Sequence, residues 1–172
     1  EVAVNDPNIV YVGTGSDGLR SNVISGKGVY KSIDAGKTWD HIGLRETGQI
    51  GAVEIDPTNN NVVWVAAIGN AFKANEERGI YKTTDGGQNW EKMLYISGTV
   101  GFADLELLPG NPNIVYAAAW KAERKPWTII SGGESNEGGI YKSINGGKDW
   151  VKLEKGLPLS LSSPFSKISV AF

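Results

Sequence analysis

SIDAGKTW (residues 32–39), TTDGGQNW (83–90) and SINGGKDW (143–150) are three copies of one octet. Each follows the same lead: GVYK at 28–31, GIYK at 79–82 and GIYK at 139–142. The octets begin at residues 32, 83 and 143, so the pattern returns every fifty to sixty residues. That period marks one supersecondary unit used several times.

Three further elements repeat around each octet. Upstream of the leads lie DPNIVYV (6–12), TNNNVVWV (58–65) and GNPNIVYA (110–117). These are β-branched and aromatic runs entered through an Asn/Pro turn, a strand signal. Earlier still come IGAVEIDP (50–57), FADLELLP (102–109) and FSKISVAF (165–172), with a truncated copy, EVAV, opening the chain. Short tails, DHIGL, EKMLY and VKLEKGL, follow the tryptophans. The unit is therefore four strands, A to D, with tight A–B and C–D turns and longer B–C and D–A connections. No helical periodicity persists. Repeated four-stranded antiparallel units predict the blades of a β-propeller. The expected fold is all-β, with blades at about 1–46, 47–99 and 100–163 and the first strand of a next blade at 164–172. Three blades do not close a ring, so further blades or partner chains are expected at both open ends.

Composition is ordinarily globular, 40% hydrophobic and 21% charged over 172 residues. A formal charge of −2 gives no electrostatic case for nucleic acid. There is no cysteine, hence neither a disulfide framework nor a thiolate metal site. No apolar run is long enough to span a bilayer as a helix. The chain opens on Glu1 rather than methionine, which suggests a processed or partial piece of a longer protein.

The octet makes physical sense as the C–D hairpin. Asp34 and Asp85 are expected to accept hydrogen bonds from backbone N–H groups two residues on, with Asn145 standing in their place in the third copy. Ser32, Thr83 and Ser143 open the octets, and Gly36, Gly87 and Gly147 supply unusual backbone angles. Trp39, Trp90 and Trp150 are expected to fold back and bury their rings over the turns. The Asp–Gly spacing lacks the further ligands of a calcium loop. The octets are read as structural, and no metal or cofactor is expected.

The octet resembles the Asp-box, or bacterial neuraminidase repeat, of a β-propeller family that includes sialidases, sortilin-type receptors, xyloglucan-degrading propellers and a photosystem assembly factor. GVYKSIDAGKTWDHIGL (28–44), NEERGIYKTTDGGQNWEKMLY (75–95) and NIVYAAAWKAERKPWTIISGGESNEGGIYKS (113–143) are similar to the N-terminal region of large secreted bacterial proteins described as sortilin-like or glycosyl hydrolase. The resemblance implies a longer parent chain and a secreted, periplasmic or cell-surface location in a bacterium.

In a meander the A–B turns and the octets share one face, and the B–C and D–A loops share the other. Irregular connections at 14–27, 43–49, 69–78, 95–100 and 120–138 place candidate binding residues on that second face. Trp120, Arg124 and Trp127 in WKAERKPW suit a sugar face or a protein partner, unless Trp120 only closes strand B and Trp127 only pins a loop. Glu77, Arg78 and Arg45 are further candidates; for Glu77 and Arg78 the other reading is a solvated turn. Strand alternation puts Asp104 and Glu106 on one face of strand A, with Glu54 at the position matching Glu106 one blade earlier. Strand A is innermost in a propeller, so these carboxylates are the weak catalytic candidates, suited to glycosidase acid/base work, or else a hydrated channel lining. The sialidase set of three arginines with a tyrosine–glutamate pair is not assignable. No phosphate loop, zinc spacing or serine triad occurs. The expected function is an extracellular or periplasmic module that binds a protein or glycan without catalysis in this segment. The alternative is part of a sialidase-like or other glycoside hydrolase with its acids on the loop face or channel.

Overall fold

The computed structural model describes residues 1–20, 22–132, 137–157 and 168–171. The first sheet has the order β1 (Val10–Gly13), β2 (Val29–Ser32), β3 (Asp40–Gly43). Its fourth member is the short opening segment: Val2 bridges Val10, and Tyr11 N donates to Glu1 O at 2.9 Å. After a 3-10 turn at Arg45–Thr47, the second sheet runs β4 (Ile50–Ile55), β5 (Val63–Ala67), β6 (Gly79–Thr83), β7 (Glu91–Leu94). The third contains β8 (Val100–Leu108), β9 (Asn111–Arg124), β10 (Ile129–Ser131), β11 (Gly139–Ser143) and β12 (Val151–Leu153). Every pairing among these strands is antiparallel.

Strand β5 shows how the sheets are held together. All five of its residues are buried. Val63, Val65 and Ala67 join Ala3, Tyr11, Val29 and Ile50 in one core. Trp64 and Ala66, pointing the other way, join Val100, Phe102, Leu105, Val115 and Ala117 in another. Side chains on a strand alternate faces, so an uninterrupted apolar strand is the mark of a sheet covered on both sides. The middle sheet is sandwiched face to face between its neighbours, as a propeller blade is.

Each octet is stitched to the stretch that enters strand B of its own sheet: Ala35 N to Asn8 O, Gly86 N to Asn61 O and Gly146 N to Asn113 O, all at 2.9 Å. The octets also wedge into the preceding sheet. A Cβ on Gly87 would lie 2.5 Å from the Ile42 side chain, and one on Gly147 would lie 2.5 Å from the Trp64 ring. Both glycines hold positive φ, 96° and 89°. They are required twice over, by conformation and by close approach.

The octets differ from expectation in two respects. Their carboxylates accept from the backbone four residues on, not two: Thr38 N to Asp34 Oδ1 at 2.9 Å and Asn89 N to Asp85 Oδ1 at 2.9 Å. The buried hydroxyl at the head of each octet sets this wider loop. Ser32 Oγ accepts from Gly36 N and donates to Asp34, each at 2.8 Å. Thr83 and Ser143 repeat both bonds. The tryptophans also diverge. Trp39 and Trp150 donate back to Gly36 O and Gly147 O, whereas Trp90 reaches the first sheet at Ile42 O, 2.8 Å. Trp39 is 41% exposed rather than buried, because no described sheet lies on its side of the stack. Of the expected next strand, 164–167 and 172 lie outside the described residues, and Ile168–Ala171 carry no strand pairing.

Candidate functional site

The loops opposite the octets are drawn together by side chains whose burial sequence reasoning missed or misread. Gln49, 1% exposed, accepts from Ala71 N through Oε1 at 3.0 Å, and its amide faces Ile24 O and Ser25 Oγ. It ties the B–C loops of the first two sheets to the connection between them. Nothing local in the sequence marks it. Arg78, expected as a surface ligand or solvated turn, is fully buried. Its guanidinium donates to Ile68 O (2.9 Å), Asn70 O (2.9 Å) and Ala122 O (3.0 Å), fastening the second sheet to the third. Burial lowers its pKa to about 10, with Glu123 opposing, so it stays charged at neutral pH. Arg78 is a clamp, and is removed from the ligand candidates.

Trp120 is corrected in the same way. It is 4% exposed, packs with Ile68, Ala103 and Ala122, and donates from Nε1 to Ser131 Oγ at 2.9 Å. Part of the expected 120–138 loop is therefore sheet: β9 continues to Arg124 and pairs with β10 through Ile129↔Arg124 and Ser131↔Ala122. Trp127 sits at the tip of this hairpin, 97% exposed. Arg124 braces that tip, donating to Lys125 O, to Thr128 O at 3.2 Å and to Arg20 O at 3.3 Å. Glu77 is half-buried, its carbonyl accepting from Tyr81 Oη at 2.9 Å. Arg45 is exposed, 3.4 Å from His41 Nδ1. Neither approaches the carboxylates described next through any bond the structure shows.

The inner strands carry the second constellation. Strands β4 and β8 abut so closely that a Cβ on Gly51 would lie 2.5 Å from Ala103 O. Glu54 and Glu106 each lie three residues beyond that contact, at matching places on neighbouring strands. Glu54 pairs with Trp64, Asp104 with Ala118 and Glu106 with Tyr116. Along β8, Asp104 and Glu106 are half-exposed while Leu105 and Leu107 are buried, so the expected alternation is present. Asp104 accepts from Leu105 N at 3.1 Å and Val170 N at 3.0 Å. Burial, then the charges of Glu106, Glu1 and Asp104, pushes Glu54 up to about 7. Burial and Asp104 raise Glu106 as well. A carboxyl pushed up toward neutral pH by burial and by neighbouring acids is the kind of tuning general acid–base chemistry uses. No group of three or more metal-ligating residues is found among the described residues, and no described helix is long and apolar enough to cross a membrane.

Comparison with known proteins places this architecture. The chain overlays 95% of its length on 23% of the GH74 xyloglucanase from Xanthomonas campestris, with a TM-score of 0.63 and 14% identity. It overlays 90% of its length on 24% of an ancestral GH74 enzyme, with a TM-score of 0.50 and 20% identity. The chain is a segment of a β-propeller. At these identities the likeness shows the fold alone. A probable oligoxyloglucan-reducing end-specific xyloglucanase of Neosartorya fischeri is 30% identical over 135 residues, 73% of this chain. The chain spans 14% of that relative. No family model matches.

Proposed function

We propose that this propeller segment belongs to a glycoside hydrolase that cleaves a β-glucan of the xyloglucan type. Its acid–base residues are drawn from Glu54, Glu106 and Asp104. The observation that carries the reading is the set of carboxylates at matching places on the adjoining strands β4 and β8, where burial and the neighbouring charges push Glu54 up to about 7. Glycoside hydrolysis needs one carboxylic acid to protonate the leaving oxygen and one carboxylate on the other side of the bond. Glu54 fits the first role. Glu106, less buried, fits the second. Asp104, whose oxygens already accept two backbone N–H groups, fits a supporting charge that keeps Glu54 protonated. The relative named as a xyloglucanase supports the substrate class. The expected non-catalytic module is thus the weaker of the two readings. The three sheets are three blades of a longer Asp-box propeller, at 1–46, 47–99 and 100–163, and a secreted location suits a polysaccharide substrate.

The test is release of reducing ends from xyloglucan by the intact protein that carries this chain. Glu54→Gln or Glu106→Gln is expected to lower turnover about 10²–10⁴-fold, the usual share of general acid–base catalysis. Unchanged turnover in both variants would refute the assignment.

A further inference from the structure

On the loop face, a recess of about 560 Å3 lies between the loop that follows β1 and the start of β4. Asp17, Arg20, Asn22 and Ser16 supply its polar lining. The volume falls within the range of small-molecule sites. The loop crosses to the third sheet, where Leu19 packs against Ile68, Ala103, Trp120 and Ala122. There Arg124 donates to Arg20 O at 3.3 Å. The same guanidinium holds Lys125 O and Thr128 O, the residues bracketing Pro126 and Trp127. The backbone of the hairpin tip that carries the exposed Trp127 is thereby tied, through Arg124, to Arg20 of the recess lining. A second cavity of about 220 Å3 shares Gly13, Ile50 and Gly51 with the first, and Glu1 lines it. The two cavities adjoin at the start of β4.

We propose that this recess and the Trp127 ring form a binding subsite for a neutral glycan chain, the indole lying against a pyranose face and Arg20 and Asn22 bonding its hydroxyls. The identity of the polysaccharide rests on the hydrolase reading above; the subsite itself does not. An aromatic face beside convergent polar side chains matches a sugar ring, which is apolar above and below and ringed by hydroxyls. Neutrality follows from charge. The recess is lined by one acid, Asp17, and one base, Arg20, so it offers an acidic sugar no net charge to pair with.

The experiment is calorimetric titration of xyloglucan oligosaccharides into the intact protein carrying Glu54→Gln and Glu106→Gln, with hydrolysis by the parent measured alongside. Trp127→Ala is expected to weaken binding at least about tenfold, the behaviour of a central aromatic anchor. Asn22→Ala is expected to weaken it about three- to tenfold. Trp127 is too exposed for its loss to unfold the protein. Binding lost on Trp127→Ala while the parent hydrolyses nothing would sink the hydrolase reading and support the subsite. Hydrolysis that depends on Glu54, with an oligosaccharide affinity that neither Trp127→Ala nor Asn22→Ala changes, would support the hydrolase reading and overturn the subsite. No oligosaccharide binding, or equal binding of polygalacturonate, would also overturn it.

Discussion

Replacing Gly147 with alanine separates the two demands the structure makes on the octet glycine. Gly147 holds φ at +89°, and a non-glycine residue in that region costs about 1–2 kcal/mol. The added Cβ would also lie 2.5 Å from the Trp64 ring and 3.1 Å from Met93 Cε. Trp64 is 1% exposed between two sheets, with Lys82 Nζ 4.5 Å from its ring centroid, so it has little room to yield. Overpacking of this kind costs about 1–3 kcal/mol more. The expected loss is about 2–5 kcal/mol, read from urea unfolding followed by tryptophan fluorescence. Gly110→Ala is the control: its φ is +79° and nothing lies within 4 Å of the added carbon, so it should show the conformational cost alone, about 1–2 kcal/mol. In a Trp64→Phe background the Gly147→Ala cost should fall toward that of Gly110→Ala, because the ring atoms it meets are gone. If Gly147→Ala is as mild as Gly110→Ala in the parent protein, the octet does not wedge against the neighbouring sheet and the reasoning fails.

Other outcomes follow from single contacts. Arg78→Ala should cost about 3–5 kcal/mol by removing a buried donor from Ile68 O and Ala122 O, whereas Arg45→Ala at the exposed turn should stay within about 0.5 kcal/mol; equal effects in chemical denaturation would refute the clamp. Hydrogen bonds from Thr38 and Asn89 lower Asp34 and Asp85 to about 2. A depressed carboxylate stabilises the fold above its unfolded value near 4 and loses that contribution as pH falls toward 2, so NMR titration midpoints near 4 for both would contradict the octet bonding. In the third octet the charge has changed places: Asn145 Nδ2 donates to Asp149 Oδ2 at 2.7 Å. Asn145→Asp should therefore destabilise by about 0.2–1 kcal/mol through like-charge contact between exposed groups, with Asp149→Asn restoring it in the double variant; additivity in thermal denaturation would count against the exchange. Glu54 is raised, so its ionisation opposes folding as pH climbs from about 4.5 through 7. Glu54→Gln should be neutral for stability at pH 4 and stabilising at pH 8, and the reverse order in melting would contradict its placement.

What the sequence made legible is what is local and repeated. The octets, their leads and the strand entering from an Asn/Pro turn mark three antiparallel sheets because each signal lies within a dozen residues. Alternation alone put Asp104 and Glu106 on one face. The misreadings share a cause in tertiary structure. Arg78 sits in NEERG, a stretch that reads as solvated, yet its partners come from residues 68, 70 and 122. Trp120 looked like the start of a loop because nothing in WKAERKPW announces that Trp120 and Ala122 pack on Ile68 and Ala103. Gln49 gives no signal at all, since its partners lie about twenty residues away on either side. Trp39 shows the converse: the octet predicts a buried ring, but the ring's cover comes from a neighbouring sheet, not from the octet.

The most direct test of the candidate site is the titration of Glu54 in the folded protein, followed by carbon-13 NMR of its side-chain carboxyl. The account predicts a midpoint of about 7, raised first by burial and then by the neighbouring charges, and a shift downward when Glu106→Gln removes one of them. A midpoint near the ordinary 4.5, indifferent to Glu106, would mean that these carboxylates face open water and do not share a site.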